Sequence, residues 1–218
     1  MLAPSTRHLA AQNGQRVSMT EKIFACLFKR GAWDPNQWWM VQSPRWHYQG
    51  RWAQEDDHIR NQVPEGLEEI GAHDPQAYTS MVYNQPLTGA FAVKACLSFD
   101  LRMAPSIVLA AQPEHNSHNE REYRHHFEIV LFDQGINLWH HQYTDGQPHW
   151  ILAAYWRFPL APKTRYLLSI SRQKNALDIK LEDREFGCFL PALPDLLYAG
   201  VTACEGINRF YSFELCTV

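Results

Sequence analysis

The sequence predicts an all-β protein, an antiparallel jelly-roll β-sandwich of two sheets with little or no helix. Short stretches alternate apolar and polar residues along the chain, and turn dipeptides containing Gly, Pro, Asn or Asp separate them at regular spacing. No stretch keeps a helical period over three turns. These observations favour an antiparallel double sheet, either a jelly roll or a closed barrel. The apolar first and last strands favour the sandwich, with both strands buried and paired within one sheet.

The N-terminal part of the chain starts with residues 1–20, which are small and polar and are expected to form a flexible arm. Residues 21–218 are expected to form a single domain. Residues 23–28 predict a first strand that is buried on both faces. Residues 33–61 predict short strands and turns, with one turn at Gln49 and Gly50. Residues 62–79 contain two prolines and two glycines, which predict an irregular loop.

The rest of the chain continues the series of strands. Strands are predicted at residues 80–84, 88–100 and 106–111, and the polar residues 112–124 predict a solvated loop. Residues 164–172 and 176–183 predict a hairpin across Lys174 and Asn175, with Ile170 opposite Ile179. The closing strands are predicted at residues 185–190, 198–204 and 208–216.

Residues 125–156 predict the central feature, a three-stranded antiparallel meander. Gln134-Gly135 and Asp145-Gly146 are typical of the tight turns of hairpins. With Gln134-Gly135 as a two-residue loop, the expected cross-strand pairs are Leu131 with Leu138, Ile129 with His140, Val130 with Trp139, and Glu128 with His141. The second turn places Trp150 next to His141. One face of the meander is therefore mostly core, and the other carries polar and aromatic side chains.

Composition excludes several classes of function. The formal net charge is −3 without a concentrated Lys/Arg stripe, which disfavours nucleic acid as a partner. No apolar run approaches the ~20 residues of a membrane span, and no secretory signal is recognised, so a cytoplasmic protein without a membrane partner is expected. The cysteines lie without C-x-x-C spacing, and we expect most of them to be buried and none to be catalytic. They are Cys26, Cys96, Cys188, Cys204 and Cys216.

The polar face of the meander is the candidate site. Aromatic rings pack on the C–H faces of sugars, while carboxylate, amide and imidazole groups bond their hydroxyls, so this face predicts a shallow saccharide platform. The alternative is that a preceding loop covers the tryptophans and that Glu128 and His141 form a satisfied cross-strand pair. The candidate ligand-binding residues are Arg124, His126, Asn137, Trp139, Tyr143 and Trp150, with Glu128 and His141 as catalytic candidates.

The order of motifs resembles the concanavalin A-like lectin/glucanase superfamily over residues 21–218. The resemblance lies in the tryptophan-rich residues 39–52, in TGAFAVKACLSFD, in FEIVLFDQGINLW, in LAPKTRYLLSISRQKNALDIKLED and in AGVTACEGINRFYSFEL. The last two segments resemble small bacterial jelly-roll domains of unknown function that are linked to sugar processing. The resemblance implies a saccharide or glycoconjugate ligand on the concave sheet.

Catalysis is the second hypothesis. The acidic strand motif of the superfamily's glucanases, of the type E-x-D-x-x-E, is absent, and so are the Arg-rich strand and the Gln-x-His motif of its alginate lyases. A glycoside hydrolase or polysaccharide lyase would use Glu128 and His141 as its acid/base pair. Of the histidines, only His126 and His141 are expected to share a face with Glu128, and neither a metal nor another cofactor is predicted. A structural or oligomerisation domain, as a homodimer, is the third hypothesis.

Overall fold

A computed structural model describes residues 21–46, 50–62, 78–101 and 103–218, the side chains at 103 and 104 excepted. The predicted N-terminal arm, Gln49 of the first turn and most of the predicted loop at 62–79 lie outside these residues. Eighteen strands and one short 3-10 turn, Pro35–Gln37, are described. The strands are β1 (Lys22–Leu27), β2 (Trp38–Met40), β3 (Trp52–Gln54), β4 (Ile59–Asn61), β5 (Thr79–Tyr83), β6 (Leu87–Thr88), β7 (Phe91–Phe99), β8 (Met103–Ala110), β9 (Glu114–His115), β10 (Arg121–Glu122), β11 (His125–Phe132), β12 (Gly135–Thr144), β13 (Gln147–Arg157), β14 (Tyr166–Gln173), β15 (Ala176–Leu181), β16 (Arg184–Phe189), β17 (Leu196–Ala203) and β18 (Asn208–Thr217).

Two large antiparallel sheets form a jelly-roll sandwich, which confirms the predicted fold class. The terminal-strand sheet has the order β16-β15-β14-β7-β18-β4-β3, and β1 also pairs with β18. The meander sheet has the order β13-β12-β11-β8-β17-β5-β2, and β6 also pairs with β17. The inner faces of the two sheets enclose the main apolar core, which includes the fully buried Phe99, Ile129, Ile170 and Phe213. The alternation in the sequence thus places every second side chain of the central strands in this core.

The meander has the predicted strands, but the register of its first hairpin is different. Phe132 pairs with Gly135, so that the loop is Asp133-Gln134, and Glu128 lies opposite Trp139 instead of His141. Gly135 is the first residue of β12 and does not belong to the loop. A glycine is required at this position because a Cβ would lie 1.9 Å from the carbonyl oxygen of Trp156 on β13. Each residue of β11 pairs with a residue of β12 two positions earlier than predicted. Because side chains alternate between the two faces with a period of two, this shift leaves every side chain on the predicted face.

The remaining strand pairings agree with the predictions, whereas the predicted burial of β1 does not. Ile170 pairs with Ile179 across Lys174-Asn175, and His141 pairs with Trp150 across Asp145-Gly146, as predicted. The first and last strands pair with each other, also as predicted. The prediction that β1 is buried on both faces is wrong, because β1 pairs only with β18 and most of its residues are exposed.

The outer face of the meander sheet carries a second, smaller apolar cluster. Its buried members are Val41, Val82, Val108, Ala110, Tyr123 and Tyr198. Tyr123 lies in the region predicted as a solvated loop, which also contains the short hairpin of β9 and β10. Chain segments therefore cover part of the face that the sequence predicts to be an open platform. Within the described segments, no helix has the length and apolar character that a bilayer span requires.

Candidate functional site

The centre of the outer face is formed by His126, Glu128 and His141. His126 and Glu128 are two residues apart on β11 and point the same way, and His141 lies directly opposite His126 on β12. The two imidazole rings stack with their centroids 4.4 Å apart and their planes 10° apart. We call these three residues the His126–Glu128–His141 cluster.

The carboxylate of Glu128 is the shared partner within the cluster. His126 Nε2 lies 3.5 Å from Glu128 Oε1, and His141 Nε2 lies 3.3 Å from Glu128 Oε2. The hydroxyl of Tyr78 donates a hydrogen bond of 3.0 Å to Glu128 Oε1. Neither Nε2 atom has a hydrogen-bond partner among the described residues. Tyr78 is therefore the one hydroxyl that fixes the orientation of this carboxylate in the described structure.

Burial and mutual contact set the charges of the cluster. Burial lowers the pKa of His126 to about 4, with a smaller contribution from His141 in the same direction. Burial alone would raise the pKa of Glu128, but the neighbouring imidazoles outweigh this effect and hold it well below its ordinary value. Burial and the adjacent Glu128 raise the pKa of Tyr78. At neutral pH the cluster thus combines a carboxylate, a neutral His126 and a protonated tyrosine hydroxyl.

A second set of contacts supports the cluster from the side of Tyr123. The Tyr123 ring stacks on His126 with a centroid distance of 4.4 Å. Its hydroxyl is within 2.7 Å of Ser80 Oγ, which is in turn 2.7 Å from Thr202 Oγ1. All of these side chains are buried. This network holds the Tyr123–His126–His141 stack in one arrangement.

The segment of residues 41–46, here named the strap, crosses the outer face after β2. The guanidinium of Arg45 lies 4.3 Å from the ring centre of Trp150 and 4.6 Å from that of Trp46. Trp46 stacks on Tyr78 with a centroid distance of 6.1 Å. A void of only about 10 Å³ remains between residues 43–45 of the strap and the rings of His126 and His141. The strap therefore excludes a sugar-sized ligand from the two imidazole rings.

The predicted site residues fall into two groups in the structure. His126, Glu128, Asn137 and His141 are buried, with at most 9% of each residue exposed. Asn137 Oδ1 accepts a hydrogen bond of 2.9 Å from Arg157. The other predicted residues are accessible: Trp139, Tyr143 and Arg124 are half-buried, and Trp150 is 42% exposed.

Beside the strap lies an open cleft of about 480 Å³. The cleft contains two of the predicted ligand residues, Arg124 and Tyr143, together with residues that the sequence did not single out for a ligand. The guanidinium of Arg124 lies 4.4 Å from the ring centre of Tyr143 and pairs with Glu122 at 2.6 Å. The lining residues are Gln42, Pro44, Trp46, Asn116, Ser117, His118, Glu122, Arg124 and Tyr143.

A larger cavity of about 1250 Å³ lies away from this face, between residues 88–90, 172–176 and 195–196. Its central charged residue is Arg172, which is 2% exposed. Arg172 donates hydrogen bonds to the carbonyl oxygens of Gly89, Lys174, Pro194 and Asp195. These contacts use the guanidinium to join three loops, which explains the burial of this arginine structurally.

Four residues near the site were not predicted to take part in it. Arg45 and Trp46 belong to the strap, and Tyr78 immediately precedes β5. All three are far from the meander in sequence. The fourth is Glu205, which is buried in the turn between β17 and β18. Burial raises the pKa of Glu205 to about 7, and the nearby Glu128 adds to this rise.

Comparison with solved structures identifies the fold of this chain. The sequence matches no protein-family model and no curated protein. Among solved structures, the carbohydrate-binding module CBM66 from Bacillus subtilis has a TM-score of 0.54 at 12% identity, covering 80% of this chain and 91% of the module. The mixed-linkage glucan GH16 protein of Bacteroides ovatus, solved with a product, has a TM-score of 0.58 at 10% identity, covering 88% and 99%.

A third similar structure is the κ-carrageenase of Pseudoalteromonas carrageenovora in complex with an oligosaccharide of κ-carrageenan. Its TM-score is 0.55 at 7% identity, with 96% of this chain and 99% of that chain covered. At these identities the similarity shows the fold alone, and it is the concanavalin A-like jelly roll that the sequence predicts.

Proposed function

We propose that this protein binds a saccharide or glycoconjugate in the cleft beside the strap. The observation that carries the proposal is the composition of this cleft, in which Trp46 and Tyr143 lie among amide, hydroxyl, carboxylate and guanidinium groups. Saccharides are recognised by this combination, because rings cover their C–H faces and planar polar groups bond their hydroxyls in pairs.

The polar groups of the cleft are held in place before a ligand arrives. Arg124 is fixed between the ring of Tyr143 and the carboxylate of Glu122, and it also lies 3.5 Å from Glu114. Asn116 accepts backbone hydrogen bonds from His118 and Glu120, which order the loop that forms one wall. Side chains ordered in advance lose less conformational entropy on binding. This arrangement supports a specific site.

The similar structures support the same class of ligand. One is a carbohydrate-binding module, and two others were solved with an oligosaccharide or a saccharide product. Their low sequence identity carries over the fold alone. The ligand class is therefore argued from the cleft, and the likeness in fold agrees with it.

Binding without turnover is favoured over hydrolysis or elimination. A general acid or base must come within hydrogen-bond reach of the substrate, whereas Glu128 and His141 are each 6% exposed and lie under the strap. The absence of the glucanase acidic motif points the same way. A hydrolase or lyase using Glu128 and His141 would require displacement of the strap.

The proposal is tested by screening the full chain on a glycan array and titrating the best oligosaccharide calorimetrically. Trp46→Ala and Tyr143→Ala are each expected to weaken binding by more than about 10-fold, as aromatic residues in the centre of an interface do. Phe189→Ala is the matched control, because Phe189 is 71% exposed and belongs to the other sheet. No binding on the array, or equal affinity of all four proteins, would overturn the proposal.

A further inference from the structure

The geometry points to a divalent transition-metal site of the zinc type at the His126–Glu128–His141 cluster. Imidazole nitrogens and a carboxylate oxygen are ligands that Zn²⁺ and similar ions accept, and three protein ligands with an open position form a recurring zinc site. One ligand atom from each of the three residues lies within 4.8 Å of the others. The site shares no residue with the lining of the cleft, so this inference does not rest on saccharide binding.

The contacts within the cluster are longer than those of a close ion pair. Charge-assisted hydrogen bonds between nitrogen and carboxylate oxygen measure about 2.7–2.9 Å. The two contacts to Glu128 are 3.3 and 3.5 Å. Bonds of about 2.0–2.1 Å at tetrahedral angles separate neighbouring ligand atoms by about 3.3–3.4 Å. Each nitrogen approaches a different oxygen of the Glu128 carboxylate, at a distance longer than a charge-assisted hydrogen bond.

The hydrogen bonding of the cluster is incomplete without such an ion. His126 Nε2 and His141 Nε2 are buried without a hydrogen-bond partner among the described residues. A buried polar atom without a partner destabilises the folded state. Coordination would satisfy both Nε2 atoms through their lone pairs, with the proton of each imidazole on Nδ1. His126 Nδ1 also has no hydrogen-bond partner among the described residues, and an ion at Nε2 does not change this.

The described partners of the Glu128 carboxylate are the two imidazoles and the Tyr78 hydroxyl. Glu128 is 6% exposed, and in the described part of the chain it forms no ion pair with Lys or Arg. The hydrogen bond from the Tyr78 hydroxyl to Glu128 Oε1 would orient this carboxylate as a ligand.

The surroundings hold the three residues of the cluster together. The imidazole rings of His126 and His141 are stacked nearly parallel, so an ion bound to both Nε2 atoms requires one ring to turn out of the stack. Tyr123 stacks on His126, and the pairing of β11 with β12 fixes His126 opposite His141. Ligands on strands with packed rings are held more precisely than ligands on loops. The paired His125 and His140, whose Nε2 atoms are 2.8 Å apart, belong to the opposite side of these strands and provide a control.

The test uses the full-length protein, stripped with a chelator and titrated calorimetrically with Zn²⁺ alone. We expect one equivalent to bind, and Glu128→Gln and His141→Gln to lose this binding by more than 100-fold. Tyr78→Phe, which removes only the hydrogen bond to Glu128, should weaken the affinity for Zn²⁺ by about 10- to 100-fold. His140→Gln and His118→Gln should leave the affinity unchanged.

A measurement on the unaltered protein covers the case in which a cluster variant does not fold. Crystals grown with Zn²⁺ and measured on both sides of the zinc absorption edge should show an anomalous peak about 2.0–2.1 Å from both Nε2 atoms. No stoichiometric uptake, uptake that survives Glu128→Gln and His141→Gln, or an anomalous peak only at other histidines would each overturn the inference. Saccharide binding is measured in a separate experiment and could persist in any of these outcomes. The failure of the metal inference and the failure of the proposed function can therefore be distinguished.

Discussion

Replacing Tyr78 with Phe tests whether the buried carboxylate depends on its tyrosine partner. Tyr78 is 2% exposed and donates a hydrogen bond of 3.0 Å to Glu128 Oε1. The substitution keeps the ring on Trp46 and removes only the hydroxyl. Because hydrogen bonds to charged groups contribute about 1.5–3 kcal/mol, the free energy of unfolding should fall by about that amount. For a domain of this size, each kcal/mol lowers the Tm by about 2–4 °C, so a decrease of about 3–12 °C is expected.

The assay is urea denaturation with excess chelator, so that metal binding does not contribute to the difference. Tyr155→Phe is the control, because Tyr155 is 59% exposed and its hydroxyl reaches solvent. The slope of the free energy with urea should be the same for all three proteins. A loss of less than about 0.5 kcal/mol in Tyr78→Phe, the usual range for a surface substitution, would refute the reasoning.

Three further predictions concern charge and packing. Burial raises the folded-state pKa of Glu205 from 4.5 to about 7, so its contribution to stability is complete below the ordinary pKa and is lost as pH rises through about 7. Glu205→Gln should therefore flatten the decline of the unfolding free energy with rising pH, measured by chemical denaturation at several pH values. An unchanged pH profile in this variant would contradict the prediction. In Gly200→Ala the new Cβ would lie 1.9 Å from the Met81 carbonyl oxygen, and a loss of about 1–3 kcal/mol in thermal unfolding is expected, with wild-type stability as the refuting result. Ile170→Ala should cost about 2–5 kcal/mol because Ile170 is fully buried, whereas Leu167→Ala, at a half-exposed position in the same strand, should cost far less; equal losses in urea would contradict this account of the core.

The fold could be predicted from the sequence because the strands are local patterns. The alternation at residues 88–100 and 125–156 and the turns at Asp145-Gly146 and Lys174-Asn175 each need information from only a few neighbouring residues. The first hairpin of the meander shows the limit of this reasoning. Gly135 was interpreted as a turn residue, but it is required by close approach to the backbone at Trp156, a contact with another strand. The error of two residues preserved the faces but changed the partner of Glu128.

The candidate site could be predicted only in part, because its cover comes from distant segments. The sequence correctly places His126, Glu128 and His141 on one face of the meander. It does not show that the strap and Tyr78 bury them, since no local pattern records which segment crosses a sheet. The exposure of β1 escaped prediction for the same reason, because an apolar run at a sheet edge resembles one in the centre.

The most direct test of saccharide binding in the cleft is a crystal structure with the oligosaccharide that binds best on the array. The sugar rings are expected to lie in the cleft between Trp46 and Tyr143, with their hydroxyls hydrogen-bonded to Arg124 or Glu122. Sugar density over Trp139 and Trp150 on the outer strands, with the cleft empty, would contradict the proposed site. Density reaching Glu128 beneath a displaced strap would replace binding without turnover by the enzymatic hypothesis.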